Sequence, residues 1–328
     1  MKVFAVAGKD DVAMVYMAEF APGKVIELVE AVQPPVPREE KWVLMVSTLF
    51  GCPVACRICD AGGSYQGKLS ADEILAQIDF MVERRFPDWR VPVKNFKIQF
   101  ARMGEPAFNL AVLDVLEALP KRYDAPGLMP SLSTIAPNSA DEFFKRLPAI
   151  KNRYYAGGQF QFQFSVHTTD EAQRDQMIPV KKWSFGQMAE YGRTWHRPGD
   201  RKITLNFALV EGMPVEAETL LKYFNPDRYL IKITPVNPTT QVVKHGYTSH
   251  VDPYHPEKGH GLVKRLEASG YEVIVSIGDL EENQIGSNCG QYVQKYMSGE
   301  MAVKDGYTYP VQSLDKIYLQ GQDLVAAD

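Results

Sequence analysis

The chain has 328 residues, of which 45% are hydrophobic and 23% are charged, and its formal net charge is −4. No run of about 18 apolar residues is present, which argues against a transmembrane helix. Asp10 and Asp11 follow the start too closely for a secretory signal peptide. We therefore expect a cytoplasmic globular protein that does not bind a membrane.

The first 40 residues predict a small β-hairpin region. Two short strand patterns, 12–17 and 24–29, are separated by the turn sequence Ala21-Pro22-Gly23. The prolines within residues 34–37 then form a stiff link to the main domain.

From Lys41 onward, strand patterns alternate with helix patterns. An apolar strand, 42–48, runs into a cysteine-rich loop, and Ser70 with Glu73 has the form of a helix-capping box. Ser139 is predicted to cap a later helix in the same way. Further strands are predicted at 96–100, 132–135, 160–166, 203–210, 229–236 and 271–277, with helices ending near 85 and covering about 110–119, 215–224 and 257–269.

This alternation indicates parallel strands joined by right-handed crossovers. Six or seven strand–helix units are too few for a closed eight-stranded barrel. We therefore expect an α/β protein with a partial (β/α)6-type barrel over residues 41–300, preceded by the hairpin region, 1–40, and followed by a tail, 301–328. In such folds the active site lies at the C-terminal ends of the strands.

Three of the four cysteines fall within eight residues, with the spacing Cys52-x3-Cys56-x2-Cys59. Three thiolates on one tight loop can hold three irons of a [4Fe–4S] cluster and leave the fourth iron open to a small molecule, whereas electron-transfer clusters usually carry four cysteines. Structural zinc is an alternative, although it prefers four ligands and no second cysteine pair is present. Incidental cysteines are another alternative.

A short turn follows the strand 96–100. In Gly104-Glu105-Pro106, the glycine permits close backbone approach and the carboxylate can accept hydrogen bonds from an ammonium group. By itself the sequence is also that of an ordinary tight turn. Together with the cysteine spacing it resembles the radical S-adenosylmethionine (radical SAM) superfamily, whose Gly-Glu-Pro segment holds the methionine amino group of SAM.

Within that superfamily the chain resembles the RNA methyl synthases of the RlmN/Cfr type, which methylate an aromatic carbon of adenosine. The resemblance covers about residues 42–292. The segments that carry it are Val46-Ser47-Thr48-Leu49-Phe50-Gly51-Cys52, Met103-Gly104-Glu105-Pro106 through Asn109, Ser133-Thr134, Phe164-Ser165-Val166-His167, Arg174-Asp175-Gln176-Met177-Ile178-Pro179-Val180, Pro235-Val236-Asn237-Pro238 and Asn288-Cys289-Gly290-Gln291.

The resemblance implies two cofactors, a [4Fe–4S] cluster and SAM, and a set of residues for each. The cluster ligands would be Cys52, Cys56 and Cys59. The residues implied to contact SAM are Gly104, Glu105, Ser133, Ser165, Val166, His167 and Asn237. For His167 alone, a structural histidine with no ligand is the alternative.

The fourth cysteine, Cys289, stands where the family carries its methyl-bearing cysteine. In that family one SAM methylates this cysteine, and a second is cleaved to a 5′-deoxyadenosyl radical that takes hydrogen from the new methyl group. The resemblance therefore implies a catalytic role for Cys289. A small buried side chain without a role is the alternative.

Two features depart from the family. The family releases its product with another cysteine, seven residues before the first cluster cysteine, and that position is Met45 here. A thioether is not a thiolate nucleophile and cannot form the disulfide of that step. We also expect the family's N-terminal helical domain to be replaced by the hairpin region.

The sequence therefore predicts a radical SAM enzyme with a methyltransferase-like site. Because the net charge is acidic, we expect a small-molecule or peptide substrate and consider RNA unlikely. A one-electron donor such as flavodoxin or ferredoxin is the expected protein partner. The alternatives are an RNA adenosine C-methyltransferase with an unusual release step and a non-catalytic iron–sulfur or zinc module.

Overall fold

The computed structural model describes residues 1–255, 259–288, 292–293 and 306–314. Cys289 lies outside these residues. An eleven-stranded sheet and a separate two-stranded sheet account for the strands described. The strands are β1 (Lys2–Lys9), β2 (Ala13–Glu19), β3 (Val25–Ala31), β4 (Lys41–Val46), β5 (Leu49–Cys52), β6 (Gly63–Lys68), β7 (Asn95–Phe100), β8 (Leu128–Thr134), β9 (Gln161–Ser165), β10 (Ile203–Ala208), β11 (Tyr229–Thr234), β12 (Val273–Val275) and β13 (Gln312–Ser313).

The helices fall mainly between the strands of the large sheet. None of the helices that the structure describes is long and apolar enough to cross a membrane. They are α1 (Ala71–Arg85), α2 (Ala111–Arg122), α3 (Asp141–Tyr154), α4 (Glu171–Met177), α5 (Phe185–Trp195), α6 (Ala217–Tyr223), α7 (Thr240–Lys244), α8 (His260–Ala268) and α9 (Leu280–Ile285), with a short 3₁₀ turn at Pro106–Phe108.

Seven strands of the large sheet are parallel, in the order β12-β11-β10-β9-β8-β7-β4. The end strands β4 and β12 are not paired with each other in the described part of the chain, so the barrel is open. Beyond β4 the sheet continues through the antiparallel strands β3, β2, β1 and β13. The predicted α/β fold with a partial barrel is confirmed.

Alternation along the parallel strands gives the sheet two chemically different faces. In β7, Phe96 and Ile98 are buried in the main hydrophobic core, whereas Lys97 and Gln99 are only partly buried on the opposite side. The pattern repeats in β9, β10 and β11. One face therefore packs against helices, and the other, which we call the inner face, carries polar side chains.

Several local predictions are confirmed and others need correction. Ser70 and Glu73 form the predicted capping box of α1. Ser139 does not cap α3, because the N-cap residue is Ala140, which has no side-chain acceptor. The hairpin strands predicted at 12–17 and 24–29 are present as β2 and β3, but β1 precedes them and was not predicted.

The predicted strand 42–48 is interrupted near its end. It stops at Val46, and the chain then enters β5, which pairs with β6 in a hairpin of its own. At the break, the Gln77 side chain accepts from the Ser47 amide (2.8 Å) and donates to the Ser47 carbonyl (3.0 Å). These bonds replace the lost sheet pairing and direct the chain into the cysteine loop.

Candidate active site

The cysteine loop begins at the end of β5. Cys52 is buried, Cys56 and Cys59 are partly buried, and none of the three forms a disulfide with another described cysteine. Ala55 has a positive φ of 53°, and the Cys59 amide donates to the Cys56 carbonyl over 3.1 Å. The loop therefore turns sharply between the first and the third cysteine.

Contacts from distant parts of the chain hold the loop in place. The Asp60 carboxylate accepts from the amides of Thr240 (2.9 Å) and Gln241 (3.0 Å), at the start of α7. Thr239 donates to the Ile58 carbonyl over 3.2 Å. A carboxylate at a helix N-terminus satisfies otherwise unpaired amides, so Asp60 fixes the loop to the segment that follows β11.

The surroundings of the cysteines are apolar. A second hydrophobic cluster, separate from the main core, includes Cys52, and Ile135, Val210 and Val236 join it from just beyond the ends of β8, β10 and β11. An apolar shell of this kind limits the access of water to a metal centre. This end of the sheet is where a parallel α/β fold places its site.

The thiols also interact electrostatically. Burial, and then the charges of Cys59 and Cys52, raise the pKa of Cys56 well above its usual value. Bound metal removes such a penalty because it neutralises the thiolates. The donor set and its electrostatics therefore fit a metal cluster held by the three cysteines.

In the described part of the chain, no three His, Cys, Asp or Glu side chains converge as ligands of a single metal ion. Ligands of one zinc lie about 2.3 Å from it when they are sulfurs, whereas a cubane cluster takes one cysteine on each iron. The two kinds of centre therefore require different spacings of the sulfur atoms.

The Gly-Glu-Pro turn lies directly beside the cysteine loop. Gly104 has a φ of 102°, and a Cβ atom there would lie 2.5 Å from Leu49 Cγ and 2.9 Å from its backbone nitrogen. The Met103 carbonyl, directly before this glycine, accepts from the amides of Thr48 (2.8 Å) and Leu49 (3.2 Å). Glycine at position 104 thus permits close packing against β5, which places Glu105 next to the first cysteine of the loop.

The Glu105 carboxylate is buried, with 6% of the residue exposed. It accepts from the Ile135 amide (2.9 Å), the Ala107 amide (3.1 Å) and the Thr134 hydroxyl (2.5 Å). Burial raises its pKa to about 7, although these donors oppose the shift. Glu105 is thus a fixed, desolvated acceptor that a cationic ligand would stabilise in its charged form.

The other predicted SAM contacts lie at the ends of β8 and β9. Ser133 Oγ accepts from Gln163 on the inner face over 3.0 Å. Ser165 pairs in register with Asn206 of β10, and the Val166 amide donates to the Asn206 carbonyl over 2.9 Å. These residues line the same end of the sheet as the cysteine loop.

His167 is more constrained than the sequence indicated. Its φ is 67°, and Nδ1 accepts from the Ala208 amide over 3.1 Å. Burial, with a smaller contribution from Arg174, lowers its pKa to about 3. The ring is therefore neutral, and the Ala208 hydrogen bond occupies one of its two nitrogens.

Asn237 lies near the C-terminal segment of the described chain. It lines a small cavity beyond the end of β11, and Asn288, next to Cys289 in sequence, lines the same cavity. The remaining lining residues are Pro238, Thr239, Glu282, Asn283, Gly286 and Tyr307. The structure therefore brings Asn237 to the segment that leads into Cys289.

Arg102 and Glu27 form a buried ion pair that the sequence did not predict. Arg102 also donates to the carbonyls of Ser287 (2.8 Å) and Gly286 (2.9 Å), and Glu27 accepts from the Val293 amide (2.6 Å). The pair thus contacts the chain on both sides of residues 289–291. Only the position of Arg102, directly before the Met103-Gly104-Glu105 motif, could have signalled it.

Asn206 is a second residue of this region that the sequence did not predict. It lies on the inner face between Ser165 and Lys232 in sheet register, and its Oδ1 atom is buried and accepts no hydrogen bond from the described residues. Buried amide oxygens normally have a partner. Asn206 is therefore a candidate to bind a ligand on this face.

Met45, at the position of the family's resolving cysteine, is placed in the sheet beside Gln99 of β7 and Val29 of β3. It is partly buried on the inner face. The thioether thus occupies a position from which a thiol could face the site.

Comparisons with known proteins support the family resemblance inferred from the motifs. No protein-family model matches the chain. A probable dual-specificity RNA methyltransferase RlmN from Synechococcus sp. is 28% identical over 222 residues, which cover 66% of this chain and 60% of that protein. A protein of the same name from Desulfitobacterium hafniense is 27% identical over 260 residues, covering 77% of this chain and 67% of that protein.

The fold has a match among solved structures. The crystal structure of a radical SAM methyltransferase from Sphaerobacter thermophilus superposes with a TM-score of 0.65 at 20% identity, covering 87% of this chain and 79% of that chain. The chain is thus related to the RlmN-type proteins, and the resemblance inferred from its motifs is confirmed. It spans about three fifths of the length of the Synechococcus relative. These relatives are named as RNA methyltransferases. Their names argue against the expectation that RNA is an unlikely substrate.

Proposed function

We propose that the protein is a radical SAM enzyme with a methyl-synthase-like active site. The observation that carries this proposal is the contact between β5, which runs into the cysteine loop, and the Gly-Glu-Pro turn, where the Met103 carbonyl accepts from the Leu49 amide over 3.2 Å. It joins the two motifs of the superfamily, the three-cysteine loop and the Gly-Glu-Pro turn, at one end of a parallel sheet. Relatedness to the RlmN-type proteins supports the same function.

Cys52, Cys56 and Cys59 would hold a [4Fe–4S] cluster. When bound, such a cluster supplies one electron for the cleavage of SAM to methionine and a 5′-deoxyadenosyl radical. The buried Glu105 carboxylate would accept hydrogen bonds from the SAM ammonium group. A small one-electron donor such as flavodoxin or ferredoxin would deliver the electron.

The remaining site residues would orient SAM. Ser133 and Ser165 offer hydroxyls, Val166 and Asn237 offer backbone and amide groups, and neutral His167 offers its free Nε2 atom. The apolar cluster around the cysteine loop would exclude water from the reacting groups. Cys289 would carry a methyl group or donate a hydrogen atom in the later part of the reaction.

A small molecule or peptide is the substrate that the net charge of −4 favours. RNA adenosine is the second candidate, and the names of the relatives favour it. With Met45 in place of the resolving cysteine, the RNA reaction would need a different release step.

Isotope labelling tests the proposal. The protein, reconstituted with iron and sulfide without oxygen, is incubated with reductant and SAM that carries a deuterated methyl group. We expect 5′-deoxyadenosine and methionine among the small products, and label on the Cys289 peptide, by mass spectrometry. An absence of 5′-deoxyadenosine from protein that holds its full iron content would contradict the proposal.

A further inference from the structure

Arg174, on the helix α4, is almost completely buried, with 2% of the residue exposed. Its Nη1 atom donates to the Trp183 carbonyl over 2.8 Å, and its Nη2 atom donates to the Ile135 carbonyl over 3.3 Å. Its Nε atom has no hydrogen-bond partner in the part of the chain that the structure describes. A buried guanidinium costs stability that an apolar side chain would not, which points to a role for Arg174 beyond packing.

One of the two bound carbonyls belongs to the peptide group beside Glu105. The Ile135 amide donates to Glu105 Oε2 over 2.9 Å, while the carbonyl of the same residue accepts from Arg174. The Thr134 hydroxyl, one residue earlier, donates to the other oxygen of the Glu105 carboxylate. Two of the donors that hold Glu105 therefore come from the short turn after β8, and Arg174 binds that turn from its far side.

The turn needs such support because of its backbone geometry. Ala136 has a positive φ of 56°, and a residue other than glycine keeps such a φ only where its neighbours fix it. The Ala136 carbonyl accepts from the Trp183 amide over 2.8 Å, and the Ala136 amide donates to Thr134 Oγ1 over 2.9 Å. Arg174 joins the turn to Trp183 a second time, because it binds a carbonyl on each side.

The helix that carries Arg174 also contacts the cysteine loop. The carbonyl of Met177, the last residue of α4, accepts from the Arg57 amide over 2.9 Å. Arg57 stands between the cysteines Cys56 and Cys59. The helix α4 therefore contacts both halves of the candidate site, the cysteine loop directly and the turn beside Glu105 through Arg174.

We infer that Arg174 is a positioning residue of the SAM site, which holds the turn after β8 so that the Ile135 amide and the Thr134 hydroxyl face Glu105. A planar guanidinium suits this task because its terminal nitrogens can bind two carbonyls in a fixed relative geometry, which a single ammonium group does not provide. The inference rests on the proposed function, since Arg174 would act through the carboxylate of that site.

A double-mutant cycle on the affinity for SAM tests the inference. Equilibrium dialysis against labelled SAM is performed with the reconstituted wild type, Arg174→Met, Glu105→Ala and the double variant. We expect Arg174→Met to weaken the affinity by roughly tenfold or more while Glu105 is present. In the Glu105→Ala background the same change should cost much less, because residues of one hydrogen-bond network do not act additively.

Two results of the cycle would overturn the inference. Unchanged SAM affinity in Arg174→Met would show that the turn is held without the guanidinium. Equal losses in both backgrounds would show that Arg174 does not act through Glu105. Arg174→Lys keeps the cation but not both carbonyl bonds, so we expect it to lose less affinity, and the same cycle is run with it if Arg174→Met does not fold.

Lys151→Met is the matched control for the loss of a buried cation. Lys151, on α3, is also 2% exposed, and it donates to a backbone carbonyl, that of Trp195, over 3.0 Å. The control should be less stable than the wild type but should bind SAM with the same affinity. An equal loss of SAM affinity in Lys151→Met and Arg174→Met would attribute the effect to destabilisation and overturn the inference.

Hydrogen exchange in the reconstituted protein without SAM separates this inference from the proposed function. We expect the amides of the peptide 131–139 to exchange faster in Arg174→Met than in the wild type. If they do, but the wild type with its full iron content binds no SAM, the proposed function fails and the support of the turn by Arg174 stands. Unchanged exchange of this peptide would overturn the inference whatever the affinity for SAM.

Discussion

Arg102 Nε lies 3.0 Å from Glu27 Oε2, and both side chains are almost fully buried, with 1% and 0% exposed. Glu27 belongs to the antiparallel strand β3, and Arg102 follows the parallel strand β7. Their further bonds to Gly286, Ser287 and Val293 join both regions to the C-terminal segment. The N-terminal strands are thus part of the framework around the candidate site.

Removing one member of this pair leaves a buried charge without compensation. We predict that Arg102→Met lowers the free energy of unfolding by about 3–5 kcal/mol, as measured by urea denaturation. The double variant Glu27→Leu/Arg102→Met should recover part of this loss. As a control, Arg193→Met, which breaks the exposed Arg193–Glu190 pair, should cost less than about 1 kcal/mol. Equal losses for the buried and exposed pairs would show that burial of the Arg102–Glu27 pair does not determine its contribution to stability.

The Glu105 carboxylate should matter for SAM binding. We predict that Glu105→Gln weakens the affinity for SAM by about 1.5–3 kcal/mol, since it removes a charged partner of the ammonium group. Equilibrium dialysis against labelled SAM measures this change. Glu142→Gln, at an exposed position on α3, serves as the control. Unchanged SAM affinity in Glu105→Gln would show that the turn is only structural.

His167 should make folding stability depend on pH. Burial lowers its pKa to about 3 in the folded chain, whereas the unfolded value is near 6.5. Between these values the unfolded state binds more protons, so stability falls as the pH drops below about 6.5. We predict that His167 lowers the free energy of unfolding by about 2 kcal/mol between pH 8 and pH 5. His167→Gln should lack that part of the loss. If urea denaturation gives the same pH dependence of the unfolding free energy for the variant and the wild type, the prediction is refuted.

Substitution of Met45 tests how the methylated product is released. If the protein acts on RNA, we predict that Met45→Cys increases methylated RNA product, because a thiol at this inner-face position can form the disulfide that a thioether cannot. If the substrate is a small molecule, Met45→Cys should produce no methylated RNA. Mass spectrometry of digested RNA distinguishes the two results, and Met14→Cys on β2 controls for an added thiol.

The parallel part of the fold was predictable from the sequence because its strands have a strong apolar period and are separated by amphipathic helices. The cysteine loop and the Gly-Glu-Pro turn were predictable because each is a short local motif. The strand β1 and the β5–β6 hairpin were not. β6 is mostly exposed and contains Ser64, Tyr65 and Gln66, so no apolar alternation marks it as a strand.

Long-range polar contacts were the other unpredictable part. Glu27 and Arg102 are 75 residues apart in sequence, and nothing near Glu27 distinguishes it from the other charged residues of the N-terminal strands. The same applies to Asp60, whose partners Thr240 and Gln241 are 180 and 181 residues away. Such pairs depend on the completed fold rather than on a local pattern.

Iron content and SAM cleavage in the four single cysteine-to-alanine variants show which cysteines hold the cluster. We predict that Cys52→Ala, Cys56→Ala and Cys59→Ala each lose most of their iron and all formation of 5′-deoxyadenosine. Cys289→Ala should keep about four irons per chain and still form 5′-deoxyadenosine. Loss of iron from Cys289→Ala would indicate a closed four-cysteine cluster, and full iron in any of the other three would contradict the three-cysteine site.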